Sequence, residues 1–297
     1  MRRDWDDHPD ECPEETEAAE CPGAALHERA LYRGHHDALG TLGWVTDDDL
    51  SLDRLTADVS VFQRRKGHRF SSDDMVTAWT ALQVCPTPAR ALDLGCGLGS
   101  VLLHLAWSVP TATLVGIEAQ EVSFDLLERN VAHNSLGHRV TVHLGDFQDP
   151  SVRLAAGSGF GLVTGTPPYF PAGTASDAVD EQRMRARMET RGGIEAYVGA
   201  GTALMADDGW LVLCGDSDAE ARLRDAAAEH GLYLWGRVVF VPRSGRPPLF
   251  SVWCLRRTPT ELLVLDRVLT PRDLAGNRTA DARMLRAFSG FPEAGTA

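Results

Sequence analysis

Residues able to do chemistry concentrate in four short stretches: LDLGCGLGS at 92–100, LVGIEAQ at 114–120, GDF at 145–147 and VTGTPPYFPAG at 163–173. In the first, Gly95, Gly97 and Gly99 follow a short apolar run; glycines there let the backbone turn tightly and let a ligand approach the peptide groups. A dinucleotide-binding loop would want glycine at position 100, where this chain has Ser100. Asp93, just before the loop, suits an ammonium group better than a pyrophosphate. Glu118, ending an apolar run, can accept both hydroxyls of a ribose. The pattern predicts a ligand with a ribose and a cation, not two phosphates. Taken singly, the glycines also fit a tight connection, Glu118 a helix cap and Asp146 a turn; together at strand ends they favour a ligand. In the fourth stretch Pro167 and Pro168 cannot donate to a sheet ladder, so the strand FGLVTG must stop there and expose Thr166 and Tyr169.

The elements that would position these residues are legible after Pro86. RALDLG, ATLVGIE, RVTVHLGD, FGLVTG and GWLVLCG read as strands; SVLLHLAWS, EVSFDLLERNVAHN, IEAYVGAGTALM and DAEARLRDAAAEHG read as helices. Such alternation predicts an α/β fold with a mostly parallel sheet and helices on both faces. The last two strands, LWGRVVFV and LFSVWCLRR, are separated only by a proline-rich loop, which predicts one antiparallel strand at the edge. Upstream, residues 1–24 are acidic and predict a disordered arm. Residues 25–60 predict a helix and hairpin extension, LSLDRLTADVSVFQ supplying the hairpin. The main domain is expected over 61–260 and a C-terminal extension over 261–297. The basic turn RRKGHRFSSDD leads into a helix capped by Ser and Asp.

The chain has 297 residues, 43% of them apolar, enough for an extensive core. No apolar run approaches the length of a bilayer crossing and the start of the chain does not resemble a signal peptide, so a cytoplasmic protein without membrane attachment is expected. The six cysteines form no CxxC pair, and no histidine pair stands at zinc-site spacing beside them; no metal is expected. A net charge of −13 argues at first against a polyanionic partner, but residues 1–60 hold 5 Lys/Arg against 16 Asp/Glu, a net of −11, which leaves −2 for the rest. The acidity belongs to the N-terminal part.

LDLGCGLG, Glu118 and GDF resemble, in order and spacing, the three cofactor motifs of class I S-adenosylmethionine-dependent methyltransferases. The resemblance implies a Rossmann-like fold with a seven-stranded sheet and S-adenosylmethionine as cofactor. Asp93 and the Gly95–Gly99 loop would face the methionine part, Glu118 the ribose, and Asp146 with Phe147 the adenine. Thr-Pro-Pro-Tyr resembles the Asn/Asp/Ser-Pro-Pro-aromatic motif of methyltransferases that modify planar nitrogens. By that resemblance Thr166 and the carbonyl of Pro167 would accept the two N–H bonds of an exocyclic amine, Pro168 would stiffen the turn, and Tyr169 would stack on a base taken out of its helix. Threonine is a departure from that motif, being shorter than asparagine, β-branched and a donor as well as an acceptor.

VFQRRKGHRFSSDDMVTA resembles the entry segment of the bacterial tRNA-valine adenine-37 N6-methyltransferase family, through Gln63, Lys66, Gly67, Arg69, Phe70, Ser71 and Asp73, with Arg64 in place of a proline. It implies a lid from Lys66 to Asp73 that brings Arg69 and Phe70 to the cofactor. The segment after the Pro-Pro pair is similar to that family too, through Arg183, Arg187 and Glu189, which implies substrate contacts by Phe170, Arg183 and Arg187 and a tRNA partner. An ordinary solvated turn at 66–73 and a solvated helix face for the arginines stay open. So do a protein amide or a small-molecule hydroxyl or amine as acceptor, an inactive binding module on the same fold, and a nicotinamide oxidoreductase, which Asp93 and Ser100 disfavour.

Overall fold

A computed structural model of the protein describes residues 47–169, 182 and 192–291. The expected acidic arm and the helix after it fall outside the described residues, as do Phe170, Arg183 and Arg187.

Strands β1 (Leu50–Arg54) and β2 (Ser60–Arg64) form the expected antiparallel hairpin. Its free edge is satisfied by two asparagines one turn apart, Asn130 within the helix Glu121–His133 and Asn134 capping its end. Asn134 accepts from the Ser60 N–H at 3.1 Å and donates to its carbonyl at 2.8 Å; Asn130 does the same for Phe62 at 2.6 and 3.2 Å. Side-chain amides thus stand in for a third strand, and the backbone groups they pair are two residues apart, matching the period of the strand. Helix α1 (Ser72–Val84) follows with a reciprocal cap between Ser71 and Asp74.

The main body alternates β3 (Arg90–Leu94), α2 (Ser100–Ser108), β4 (Thr113–Glu118), α3 (Glu121–His133), β5 (Val140–Leu144), α4 (Pro150–Ala156), β6 (Phe160–Gly165), α5 (Ile194–Leu204), β7 (Met205–Gly215), α6 (Glu220–Glu229), β8 (Tyr233–Phe240), β9 (Phe250–Arg256), β10 (Leu265–Leu269) and α7 (Ala280–Phe288). The sheet runs in the order β10-β8-β9-β7-β6-β3-β4-β5. Among the described residues it has eight strands rather than seven, because Leu265–Leu269 adds in parallel beyond β8. Among the described residues the antiparallel strand of this sheet is β9, which folds back from β8 through a short loop and inserts between β8 and β7, so it lies third from that edge. Helix α4 was not expected from the sequence, although Asp149 and Pro150 form an ordinary start signal; Asp149 accepts the Ser151 N–H at 2.8 Å.

Successive strand residues feed two cores, one on each face. Val212 and Cys214 of β7 join Val76, Leu102, Leu103 and Leu127 under α1, α2 and α3. Leu211 and Leu213 join Leu92, Leu94, Phe160, Val198 and Trp253 under α5 and α6. The carboxyl ends of β3, β4, β5 and β6 come out side by side at one edge, which is where ligands sit in sheets of this kind. Among the described residues no helix is long and apolar enough to cross a membrane, and no cluster of His, Cys, Asp and Glu is placed to hold a metal ion.

Candidate active site

Between β3 and α2 the loop turns on glycines with positive φ, +59° at Gly95 and +58° at Gly97. They serve different ends. A Cβ on Gly95 would collide with the Tyr197 hydroxyl, whereas one on Gly97 would meet nothing within 4 Å. The first glycine is demanded by packing, and the second leaves open space above the loop. Glu118, 5% exposed at the end of β4, ties this loop to the next: Oε2 accepts the Gly97 N–H at 2.8 Å and Oε1 the Gln120 N–H at 2.6 Å. Its carboxylate is thereby fixed at the cleft.

Asp93 is 1% exposed. Thr164 Oγ1 donates to its Oδ1 at 2.8 Å, while Oδ2 is buried without a hydrogen-bond partner among the described residues. Burial pushes the carboxyl up to about 7; the Thr164 hydrogen bond opposes the rise and the nearby Glu118 charge adds to it. A cation delivered to this carboxylate would relieve both the burial and the missing partner.

At the end of β5, Asp146 turns the chain by accepting the Gln148 N–H at 2.9 Å. Phe147 then packs edge-on against Tyr197, with centroids 4.6 Å apart. Tyr197, on α5, is a site residue that the sequence reading missed. Its ring lies against Gly165 as well as Gly95, and burial, with Glu118 and Asp93 nearby, pushes its phenol well above the ordinary range. It stays a neutral group under any ordinary condition.

One cleft of about 100 Å³ is lined by residues of all these segments: Gly95 and Gly97, Glu118, Asp146 and Phe147, Thr166 and Pro168, with Phe70, His68 and Tyr197. The Thr-Pro-Pro turn therefore opens onto the same space as the glycine loop. Five expected members are not among its lining residues: Asp93, Gly99, Pro167, Tyr169 and Arg69. Tyr169 is not among the lining residues; its hydroxyl donates to Asp73 Oδ2 at 2.8 Å and lies 3.0 Å from Cys214 Sγ, so it is anchored inward where a stacking role was expected. Arg69 turns away to the hairpin, with an ion pair to Asp53 at 3.2 Å and a hydrogen bond to Ser51 at 3.0 Å. Asp53 of the hairpin, itself partly exposed, pairs with its charge.

Gln182 was also missed. It is 5% exposed; its Nε2 donates to Ser123 on α3 at 3.1 Å, and its Oε1 accepts from Arg64 at 3.3 Å and from the His68 N–H at 3.4 Å. It holds the basic turn, and with it His68 and Phe70, against the cofactor half of the fold. No motif marks such a residue in a sequence, since its role arises from three segments meeting.

Residues 91–192 match the family described as a methyltransferase domain. A tRNA1(Val) (adenine(37)-N6)-methyltransferase from Porphyromonas gingivalis is 31% identical over 146 residues, which is 49% of this chain and 56% of that protein. A release factor glutamine methyltransferase from Geobacter sulfurreducens is 30% identical over 148 residues, 48% of this chain and 50% of that protein. The chain thus spans about half the length of these curated relatives. In fold, a predicted O-methyltransferase from Agrobacterium tumefaciens superposes with a TM-score of 0.53 at 18% identity, over 74% of this chain and 98% of that one. By these matches residues 91–192 are similar to a methyltransferase domain, about half of the chain is similar in sequence to a tRNA1(Val) (adenine(37)-N6)-methyltransferase, and the fold is the one shared with the solved structure from Agrobacterium tumefaciens.

Proposed function

We propose that the protein is an enzyme that transfers a methyl group from S-adenosylmethionine to the exocyclic amine of an adenine in tRNA, in the cytoplasm. The observation that carries this reading is that Gly97, Glu118, Asp146, Phe147, Thr166 and Pro168 line one cleft. When bound, S-adenosylmethionine supplies an electrophilic methyl on a sulfonium. Asp93, through Oδ2, which has no hydrogen-bond partner among the described residues, balances the positive charge of the cofactor's amino-acid end. Glu118 takes the ribose hydroxyls, and Asp146 and Phe147 hold the adenine.

An exocyclic amine is a poor nucleophile because its lone pair is delocalised into the ring. Thr166 Oγ1 and the carbonyl of Pro167 accept its two N–H bonds and fix the nitrogen, so most of the acceleration comes from alignment and electrostatics. No dedicated general base is needed, since the proton can leave after transfer. Tyr169 holds the turn through its hydroxyl, and Phe170, Arg183 and Arg187 keep their expected part in substrate binding. The tRNA named in the relatives supports this acceptor.

The test is transfer of labelled methyl from S-adenosylmethionine to an extract, split between nuclease and protease. Nuclease-sensitive label with N6-methyladenosine in the digest supports the proposal. A second reading, a glutamine side-chain amide as acceptor, draws support from the release factor glutamine methyltransferase relative, and protease-sensitive label would favour it.

A further inference from the structure

A second and larger cavity, about 610 Å³, lies beside the cleft, bounded by the start of α1, the end of β8 and α7. The two share Phe70. Phe240, which closes β8, is another of its walls; β8 runs in the same direction as β7 and β6, so this cavity opens at the same edge of the sheet as the cleft. Its composition is distinctive. Phe70, Met75, Phe240 and Phe291 provide aromatic and apolar surface, Arg54, Arg278, Arg283 and Arg286 provide charge, and among the described residues that line it there is no Asp or Glu. Arg54, Arg278 and Arg283 are exposed.

That charge is local. Residues 267–291 contain five arginines and two aspartates in a chain whose net charge is −13. Both aspartates are engaged within the fold, Asp281 by Arg267 at 2.9 Å and by the Thr270 N–H at 2.8 Å, Asp273 by Asn277 at 3.1 Å. Phe291 carries the guanidinium of Arg54 at 5.7 Å and of Arg286 at 5.4 Å from its ring centre, so charge and aromatic surface are interleaved. His104 adds no charge, since burial lowers it to about 4.

We propose that this cavity receives the RNA next to the nucleotide that enters the cleft, an unpaired base lying on its aromatic wall and the flanking phosphates meeting Arg54 and Arg278. Single-stranded nucleic acid is held by this combination of stacking surface and guanidinium groups. A free phosphate would make no use of the aromatic wall, and a neutral apolar ligand no use of the arginines. The inference rests on RNA being the acceptor, and it adds where the strand runs once it leaves the cleft: past Phe70 toward α7.

The test uses the full chain and a fluorescent, unmodified tRNA transcript, with binding followed by anisotropy between about 50 and 200 mM salt. S-adenosylhomocysteine binding is measured on the same preparations to report an intact fold. For the Arg54→Glu, Arg278→Glu double variant the expected result is unchanged S-adenosylhomocysteine affinity, tRNA affinity weaker by about tenfold or more, and a shallower dependence of log K on log salt by about 0.7–0.9 per arginine. The milder Arg278→Gln should shift both in the same direction by about half as much on a logarithmic scale. If the wild type methylates tRNA but both variants bind it with unchanged affinity and salt slope, the cavity assignment falls and the RNA reading stands. If the wild type binds S-adenosylhomocysteine yet neither binds nor methylates tRNA, both fall.

Discussion

Asp93 and Thr164 sit opposite each other on neighbouring parallel strands, and the Thr164 hydroxyl donates to Asp93 Oδ1 at 2.8 Å while Oδ2 stays buried with no hydrogen-bond partner among the described residues. One strand thus orients the carboxylate that the other presents behind the glycine loop. The arrangement is unfavourable for an ionised group unless a cation arrives.

The pH dependence follows from that. Because the folded-state pKa of Asp93 is raised to about 7, the stabilisation linked to its bound proton is present in acid and is lost as pH rises through about 7. His104, lowered to about 4, acts oppositely, losing stability as pH falls below the ordinary histidine range. Comparing wild type with Asp93→Asn cancels the histidine. In thermal unfolding of the ligand-free protein, the variant should gain on the wild type between pH 5.5 and 8, by up to about 1.4 kcal/mol per pH unit below the folded-state pKa. A constant difference across that range would show that Asp93 does not titrate there.

Gly97 and Gly95 should respond differently to substitution. Gly97→Arg places a side chain in open space; apart from a backbone term of about 1–2 kcal/mol for the left-handed conformation, it should fold, and it should bind no S-adenosylhomocysteine in a calorimetric titration. Gly95→Ala adds to that backbone term a collision with Tyr197 and should destabilise the protein by about 1–3 kcal/mol more. Retained affinity in Gly97→Arg would remove the loop from the cofactor site.

Thr166→Asn should keep or raise methylation of an amine, because the longer planar amide offers a carbonyl acceptor without β-branching. A single misplaced hydrogen bond is worth about 1 kcal/mol, so a rise of several-fold in kcat is the expected scale. Loss of activity with unchanged cofactor binding would mean an acceptor fitted to the hydroxyl.

Tyr169→Phe removes the contacts to Asp73 and Cys214 and nothing from the cleft wall. Melting should fall by a few degrees, consistent with about 1–2 kcal/mol for a lost buried hydrogen bond, and kcat should drop with little change in the KM for S-adenosylmethionine. Full activity would show that the turn needs no such anchor.

The meeting of the expected cofactor segments was legible in the sequence because glycines and acidic residues stand at strand ends, which a parallel sheet brings to one edge: Gly95, Gly97, Glu118, Asp146 and Phe147 all line the cleft. The substrate half was less so. A motif gives the type of residue 169 but not its side-chain direction, which Asp73 and Cys214 decide from other elements. The direction of Arg69 is likewise set by another element, the hairpin, through Asp53 and Ser51. Tyr197 and Gln182 act only through tertiary contacts, and β10 is five residues of alternating pattern at an edge, with no periodic run to announce it.

The most direct test of the central claim is nucleoside analysis of total tRNA from cells with and without this chain, with Gly97→Arg as the inactive control. The account predicts N6-methyladenosine that disappears on deletion, returns with the wild-type chain and does not return with Gly97→Arg. An unchanged nucleoside profile across all four samples would contradict it.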